Sequence, residues 1–230
     1  MQNMKYIVAN WKSHKNRAQV ALWIDAFAHH VEQDNSLLTA LKAKKLKIVI
    51  APPAPFLIDL HDVLLRRIPV ELATQQISAY PQGSYTGEVA AASVSDLVSY
   101  TLVGHSERRS HFHDDAASVQ RQAREALEEG ITPILCVSDA KQYIKDIAIV
   151  AYEPLGAIGT GANASVSDVV HVAKSCHLPD NGAFLYGGSV TSTNAKEYLC
   201  EQQISGVLVG GASLDATEMY MICTQALPCL

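Results

Sequence analysis

The sequence has no excess of basic residues and no long apolar run. Its 230 residues include 18 Lys and Arg against 23 Asp and Glu, a formal net charge of −5 at pH 7. Nucleic-acid binding needs a basic stripe, so we expect no nucleic-acid partner. No apolar run is long enough to span a membrane, and the first residues show no signal-peptide pattern. The composition predicts a cytoplasmic protein without a membrane partner.

Cysteine is sparse, and its spacing argues against cysteine-based frameworks. The five cysteines are Cys136, Cys176, Cys200, Cys223 and Cys229, and no two of them form a C-x-x-C pair. Scattered cysteines in odd number are typical of a reducing compartment, so we expect neither a disulfide framework nor a zinc site. His111 and His113 beside Asp114 and Asp115 are best explained as solvated residues at a helix start, so we expect no metal.

Linkers and low-complexity segments are also absent, so residues 1–230 are interpreted as a single domain. Hydrophobic residues make up 48% of the chain, enough for a sizeable core. Short, continuous apolar runs predict strands of a parallel sheet that is covered on both faces. The eight runs are Lys5–Ala9, Leu46–Ala51, Val70–Thr74, Tyr100–Gly104, Ile131–Val137, Ile147–Tyr152, Ala183–Tyr186 and Gly206–Val209.

Helical patterns separate most of these runs. They lie around Val20–Val31 and at Phe56–Arg66, Ala90–Val98, Ala116–Glu129, Val166–Ser175, Thr191–Leu199 and Ser213–Thr224. Eight alternating units predict an α/β fold, a closed parallel eight-stranded (β/α)8 barrel. The alternative, a doubly wound open sheet, would want a G-x-G-x-x-G after the first strand, which this sequence lacks.

The connection between strands five and six is unusually short, because it contains only Ser138 to Asp146. A parallel crossover with its helix needs at least about 10–12 residues. We therefore expect a mostly extended path with at most one helical turn, that is, a truncated or missing fifth helix. The outer faces of strands five and six should then lose part of their cover.

Polar and glycine residues follow the strand ends, where barrels of this type carry their chemistry. They are Asn10, Lys12, His105, Glu153, Ser189, Gly210 and Gly211. Glu153 ends a buried run, and Pro154 and a glycine-rich loop follow it. A charge there is costly unless it is used or paired. The stretch alone fits equally well a catalytic base beside a hinged lid, or a structural Glu paired with an Arg.

The combination of these residues predicts proton abstraction next to a carbonyl in a small phosphorylated sugar. Lys12 supplies positive charge, and His105 can donate a hydrogen bond to a carbonyl or move a proton. Ser189 and the glycine N–H groups would hold a phosphate. Nothing indicates hydride transfer, and Lys12 leaves a Schiff base open in principle.

Seven motifs, in order and across nearly the whole chain, resemble the triosephosphate isomerase family. They are Asn10–Lys12, Thr86–Glu88, Gly104–Arg109, Ala151–Pro154, Ile158–Gly161, Tyr186–Val190 and Val209–Leu214. The resemblance implies a TIM barrel that interconverts dihydroxyacetone phosphate and D-glyceraldehyde 3-phosphate through an enediol, in glycolysis and gluconeogenesis. It also implies that no metal or other cofactor is needed.

The resemblance assigns a role to each catalytic candidate. Glu153 is the base, and His105 is a neutral electrophile at a helix N-terminus, a point for which this family is itself the standard example. Lys12 is the electrostatic partner, Asn10 positions the substrate, and Glu107 is a second carboxylate close to the site.

Substrate binding and assembly follow from the same resemblance. The phosphate grip corresponds to Gly159, Ser189, Gly210 and Gly211, with Leu208 beside it. The lid is Pro154–Gly161, which excludes water. The loop Gln75–Glu88 enters a neighbouring subunit, with Thr86 reaching the partner's site, which implies a homodimer and leaves a higher oligomer open.

Several positions depart from the family pattern. Gly156 stands where the lid normally has tryptophan, Ala162 where it has lysine, and Gln76 replaces an asparagine before the dimer loop. Because shortened archaeal members assemble beyond the dimer, we favour a second subunit as the cover for strands five and six. The altered lid leaves one alternative open, a non-catalytic descendant that binds phosphate or a protein.

Overall fold

A computed structural model of the chain describes residues 4–154, 156 and 163–230. Within these residues eight strands form a closed barrel, and each strand pairs in parallel with the next until β8 returns to β1. The strands are β1 Lys5–Asn10, β2 Leu46–Ala51, β3 Glu71–Thr74, β4 Tyr100–Val103, β5 Thr132–Val137, β6 Ile149–Tyr152, β7 Ala183–Tyr186 and β8 Gly206–Val209. The predicted barrel is confirmed, with strand ends that differ by at most two residues.

Helices in the described part of the chain cover the outside of the barrel. The longer ones are Arg17–Gln33, Asn35–Lys42, Ala116–Glu128, Val166–Ser175 and Ala216–Thr224, with a mixed helical segment over residues 54–67 and short helices at Ser106–His111 and Ala195–Leu199. Side chains fix where several of them begin. Asn16 and Gln19 form a capping box at the start of Arg17–Gln33. Asp34 and Asp115 accept backbone N–H bonds at the starts of Asn35–Lys42 and Ala116–Glu128.

The alternation of side chains along each strand divides the core into two clusters. One fills the barrel interior and includes Val8, Leu102 and Cys136, while the other lies between the strands and the helices. Cys136 is wholly buried, and this burial raises the pKa of its thiol well above the usual range. Its surroundings are those of a packing residue.

The prediction of a helix at Ala90–Val98 is wrong. Only the single 3₁₀ turn Ala91–Ser93 forms there. The helical spacing arises because Val94 and Val98 are both buried, although they lie on irregular backbone. Ser95 bonds back to the carbonyl of Ala92, the kind of local bond by which serine competes with a regular helix.

The short connection between β5 and β6 is confirmed as non-helical apart from the 3₁₀ turn Ala140–Gln142. Side chains hold this link in place. The Gln142 Oε1 atom accepts from the N–H of Ser138 at 2.8 Å, and the hydroxyl of Tyr143 donates to the carbonyl of Ile147 at 3.3 Å. A cleft of about 510 Å³ separates the link from the helix Ala116–Glu128.

The expected loss of cover over β5 and β6 is wrong. The outward residues Leu135, Val137 and Val150 are at most 1% exposed in the single chain. Tyr143 and Ile144 of the link pack against the same cluster. An extended link therefore covers these faces with two large side chains, and a second subunit is not needed for this purpose.

The expectation of no disulfide is also wrong. Cys200 and Cys229 are bonded, with their Cα atoms 4.7 Å apart, while the other three cysteines are buried thiols. The two partners are 29 residues apart, one at the end of the helix Ala195–Leu199 and the other in the last turn of the chain. Tertiary folding brings them together, so their spacing gave no signal.

Candidate active site

A cavity of about 440 Å³ opens at the carboxyl ends of the strands. Its lining contains most of the residues predicted for the site, namely Asn10, Lys12, His105, Glu153, Ser189, Leu208, Gly210 and Gly211. Glu107 lines an adjoining cavity of about 270 Å³ that shares Asn10, Lys12 and His105. Gly159 and most of the predicted lid lie outside the described residues. The structure thus gathers the candidates, while their individual roles stay predictions.

Glu153 is the buried carboxylate of this site. It follows β6 directly and is 3% exposed. Its Oε1 atom lies 2.8 Å from Nε2 of His105, and its Oε2 atom accepts from the N–H of Ser106 at 2.9 Å. Glu153 therefore pairs with a histidine and a backbone donor, and the interpretation that it pairs with an arginine is wrong.

The hydrogen bonds of His105 indicate which ring nitrogen carries the proton. His105 is the N-cap of the helix Ser106–His111, and its Nδ1 atom accepts from the backbone N–H of Glu107 at 3.3 Å. A nitrogen that accepts carries no proton, so in the neutral ring the proton is on Nε2. Nε2 is then the donor to Glu153.

Lys12 is held in a left-handed backbone conformation, with φ of 52°. For a residue with a side chain this conformation costs about 1–3 kcal/mol and persists only where neighbours impose it. Asn10 Oδ1 accepts from the N–H of Lys12 at 2.9 Å, and the Gln75 side chain donates to the carbonyl of Lys12 at 2.8 Å. The lysine side chain passes Gly210 and ends 2.6 Å from Glu107.

Glu107 is the charged partner of that lysine. Burial acts to raise the pKa of Glu107, but the hydrogen bond and the charge of Lys12 outweigh it, and the pKa is lowered. Glu107 is therefore an anion at neutral pH and compensates the lysine charge until another anion enters the cavity.

One side of the cavity, which begins beside Glu153 at Gly187, is built largely from backbone. Ser189 has φ of 49°, and its carbonyl accepts from the side-chain amide of Asn194 at 3.1 Å. Gly210 leads into the 3₁₀ turn Gly211–Leu214, where the Ser213 hydroxyl donates to the carbonyl of Gly210 at 2.7 Å. We call residues 187–189 with Gly210 and Gly211 the glycine wall.

Two asparagines of this cavity were not found from the sequence. In the amide orientation that pairs both of its ends, Asn163 donates to the carbonyls of Gly188 and Ser189 and accepts from Asn194 at 2.7 Å. Both asparagines line the cavity. A single asparagine in a loop has no distinctive pattern, and only the fold brings these two together.

The two arginines after His105 make structural contacts. Arg108 forms a two-point ion pair with Asp114, with its Nε atom at 2.7 Å. Arg109 donates from Nε to the carbonyl of Gly104 at 2.7 Å. The described residues hold no group of three or more side chains that could bind a metal, and no helix among them is long and apolar enough to cross a membrane.

The fold and this arrangement define a (β/α)8 barrel with a buried carboxylate and a histidine in contact at the carboxyl ends of the strands. Residues 5–226 match the family model described as triosephosphate isomerase. The chain belongs to the triosephosphate isomerase family, whose members are isomerases, so the resemblance found in the motifs is confirmed.

Individual relatives agree over almost the full length. The chain is 34% identical to triosephosphate isomerase of Coxiella burnetii, with 98% of each protein covered. It is 32% identical to that of Mesomycoplasma hyorhinis, with 95% of this chain and 97% of the relative covered. The crystal structure of triosephosphate isomerase from Bartonella henselae superposes with a TM-score of 0.79 at 23% identity, covering 98% of this chain, which supports the fold.

Proposed function

We propose that this protein interconverts dihydroxyacetone phosphate and D-glyceraldehyde 3-phosphate, the step that links the two trioses of glycolysis and gluconeogenesis. The observation that carries the proposal is the contact of 2.8 Å between Glu153 and Nε2 of His105, in a cavity that also contains Lys12. Family membership supplies the substrate, and the geometry supports the roles of the individual residues.

Glu153 is the base of the proposed reaction. Its carboxylate exchanges its bonds to His105 and Ser106 for the substrate, takes a proton from the carbon beside the carbonyl, and returns it to the neighbouring carbon. The Nε2–H group of His105 gives its proton to the carbonyl oxygen, so an enediol forms. As Glu153 returns its proton to the neighbouring carbon, the other hydroxyl of the enediol gives its proton to Nε2 and becomes the new carbonyl, which restores both residues. The His105 tautomer described above supports this role, because its donor already faces the base.

Lys12 and the glycine wall hold the charged parts of the substrate. The Lys12 ammonium stabilises the negative charge that develops on the substrate oxygen. Asn10, which accepts from the backbone N–H of Lys12, positions the substrate. Ser189, Gly210 and Gly211 bind the phosphate, with Leu208 beside them. Gly159 stays a predicted fourth contact, because it lies outside the described residues.

The assembly we propose is a homodimer through the loop Gln75–Glu88. Residues 80–88 are exposed in the single chain, where Tyr80 and Tyr85 stack with ring centres 4.6 Å apart. The cavity of about 270 Å³ beside Lys12 and Glu107 has room for a segment of a neighbour. Light scattering at micromolar concentration tests this, and fully active monomer would contradict it. A higher oligomer and a cytoplasmic location stay predictions.

The activity is tested with a coupled assay on D-glyceraldehyde 3-phosphate, comparing the wild type with Glu153→Gln. General base catalysis contributes on the order of 10²–10⁴-fold, and most of this should be lost while the fold is retained. Glu129→Gln, a change to an exposed carboxylate, is the control and should retain wild-type kcat. A Glu153→Gln protein with more than half of wild-type kcat would disprove the assignment of the base.

An inactive wild type that still binds inorganic phosphate would instead support the non-catalytic alternative.

A further inference from the structure

Tyr198 lies behind the glycine wall and does not line the cavity. It belongs to the short helix Ala195–Leu199, is 1% exposed, and stacks on Tyr186 with ring centres 4.1 Å apart at 23°. Its hydroxyl donates to the carbonyl of Ala164 at 2.7 Å. Nothing in the proposed mechanism uses this tyrosine, although the residues that it contacts adjoin the cavity.

Both backbone polar groups of Ala164 are bonded to the stacked tyrosine pair. The N–H of Ala164 donates to the Tyr186 hydroxyl at 3.0 Å, and its carbonyl accepts from Tyr198. Burial raises the pKa of both phenols, so both hydroxyls keep their protons at any ordinary pH. The two rings therefore hold one residue of the backbone from two sides.

Ala164 is also the direct neighbour of Asn163, which reaches the glycine wall. The Asn163 amide donates to the carbonyls of Gly188 and Ser189 at 3.2 Å each. Tyr186 itself immediately precedes Gly187, and a Cβ atom added at Gly188 would collide with its ring. Tyr198 thus contacts both segments that position Gly188 and Ser189, namely the end of β7 and residues 163–164.

We propose that Tyr198 is a positioning residue for the phosphate-binding side of the site. By holding Ala164 against Tyr186, it fixes Asn163 and, through the Asn163 amide, the carbonyls of Gly188 and Ser189. Removing the Tyr198 hydroxyl leaves the partly buried carbonyl of Ala164 without its hydrogen-bond donor, and the order of the wall depends on that bond. This inference rests on the proposed function, because it assumes that the glycine wall receives the phosphate of the substrate.

The test is Tyr198→Phe, which removes the hydroxyl and keeps the stacked ring. We expect the KM for D-glyceraldehyde 3-phosphate and the inhibition constant of inorganic phosphate to rise together, by about three- to ten-fold, as the loss of one hydrogen bond predicts. The value of kcat should stay within about two-fold, because Glu153 and His105 are untouched. Inorganic phosphate binds without reacting, so its inhibition constant reports on the glycine wall independently of catalysis.

Tyr143→Phe is the matched control. Tyr143 also donates its hydroxyl to a backbone carbonyl, that of Ile147, but it lies in the link between β5 and β6. We expect it to lower the melting temperature without moving KM or phosphate inhibition. Tyr198→Phe combined with Tyr186→Phe should change KM by less than the product of the single effects, because both hydroxyls act on Ala164.

A purely structural role for Tyr198 would overturn the inference. It would appear as a lower melting temperature with KM and phosphate inhibition unchanged. A fall in kcat alone would also overturn the inference. If Tyr198→Phe does not fold, Asn163→Ala takes its place, since this exposed residue should produce the same parallel rise and its failure to do so would also overturn the inference. An inactive wild type would disprove the proposed function, while phosphate binding to the variants would still test the position of Tyr198.

Discussion

The two ends of the barrel each hold a half-buried lysine–glutamate pair, and the pairs differ in what surrounds the lysine. At the carboxyl end Lys12 lies 2.6 Å from Glu107, and at the amino end Lys47 lies 3.0 Å from Glu71. The lysine side chains are 25% and 24% exposed, so burial does not separate the two pairs. The difference lies in the backbone and in the other partners.

Lys47 has a second side-chain partner besides Glu71. It lies on the regular strand β2, donates to the Tyr100 hydroxyl at 2.7 Å, and its ammonium lies 5.4 Å from the centre of the Tyr100 ring. Lys12 instead has a left-handed backbone and faces a cavity of about 440 Å³. Lys47 and Glu71 also border a cavity, of about 240 Å³. The pairs therefore differ in their surroundings: Tyr100 gives Lys47 a second hydrogen-bond partner, whereas Lys12 lines the same cavity as His105 and Glu153.

The largest effect that would sharpen this contrast is expected from Lys12→Met. Removing one group that stabilises developing negative charge lowers activity by about 10²–10³-fold. The melting temperature should change little, because Glu107 can be solvated at the rim of its cavity. Steady-state kinetics with parallel thermal denaturation measure both quantities, and a variant within ten-fold of wild-type kcat/KM would remove the distinction between the two lysines.

Lys47→Met should have the opposite profile and a smaller effect. Glu71 and the hydroxyl of Tyr100 lose their partner, which lowers the free energy of unfolding by about 1–2 kcal/mol, while kcat/KM stays within two-fold. Urea denaturation gives the first quantity and the coupled assay the second. The double variant with Glu71→Gln should recover part of the loss, and a loss of activity in Lys47→Met would break the comparison.

The smallest expected effect is the pH dependence of the Lys12–Glu107 pair. The folded pKa of Glu107 lies below its ordinary value of 4.5, so the pair stabilises the fold above about pH 4.5, and this contribution is lost as the pH falls through the folded pKa. The difference in melting temperature between the wild type and Glu107→Gln should be constant at neutral pH and shrink in acid.

The Lys47 pair provides the contrast for that experiment. Burial acts to lower the pKa of Lys47, but its hydrogen bonds to Tyr100 and Glu71 outweigh this effect and raise it. A group whose folded pKa is raised stabilises the fold below its unfolded pKa of 10.5 and loses this contribution as the pH rises through the folded pKa. The difference in melting temperature between the wild type and Lys47→Met should therefore fall in strong alkali, at the opposite end of the pH range from the fall expected for the Lys12–Glu107 pair.

Sequence reasoning predicted the features that depend on local pattern. Continuous apolar runs marked the strands, and the polar residues that follow them, such as Lys12, His105 and Glu153, necessarily meet where parallel strands end together. The short link to β6 was predictable from its length alone. The prediction of a helix at Ala90–Val98 failed because buried valines at helical spacing can also lie on irregular backbone.

The features that sequence reasoning missed depend on contacts between distant segments. The disulfide joins residues 29 apart, and the hydrogen bond between Asn163 and Asn194 joins segments that lie before and after β7 in the chain. The cover that Tyr143 and Ile144 provide for β5 and β6 is of the same kind, since two side chains replace a helix. Gly159 and most of the lid lie outside the described residues, so those predictions stand as made.

The disulfide between Cys200 and Cys229 makes a covalent ring of the last part of the barrel. This ring contains β8, which closes the barrel against β1, and it also contains Gly210 and Gly211 of the cavity. A single protease cut anywhere between the two cysteines opens the ring but releases no fragment. The strand that completes the barrel is thereby protected against loss, although not against cleavage.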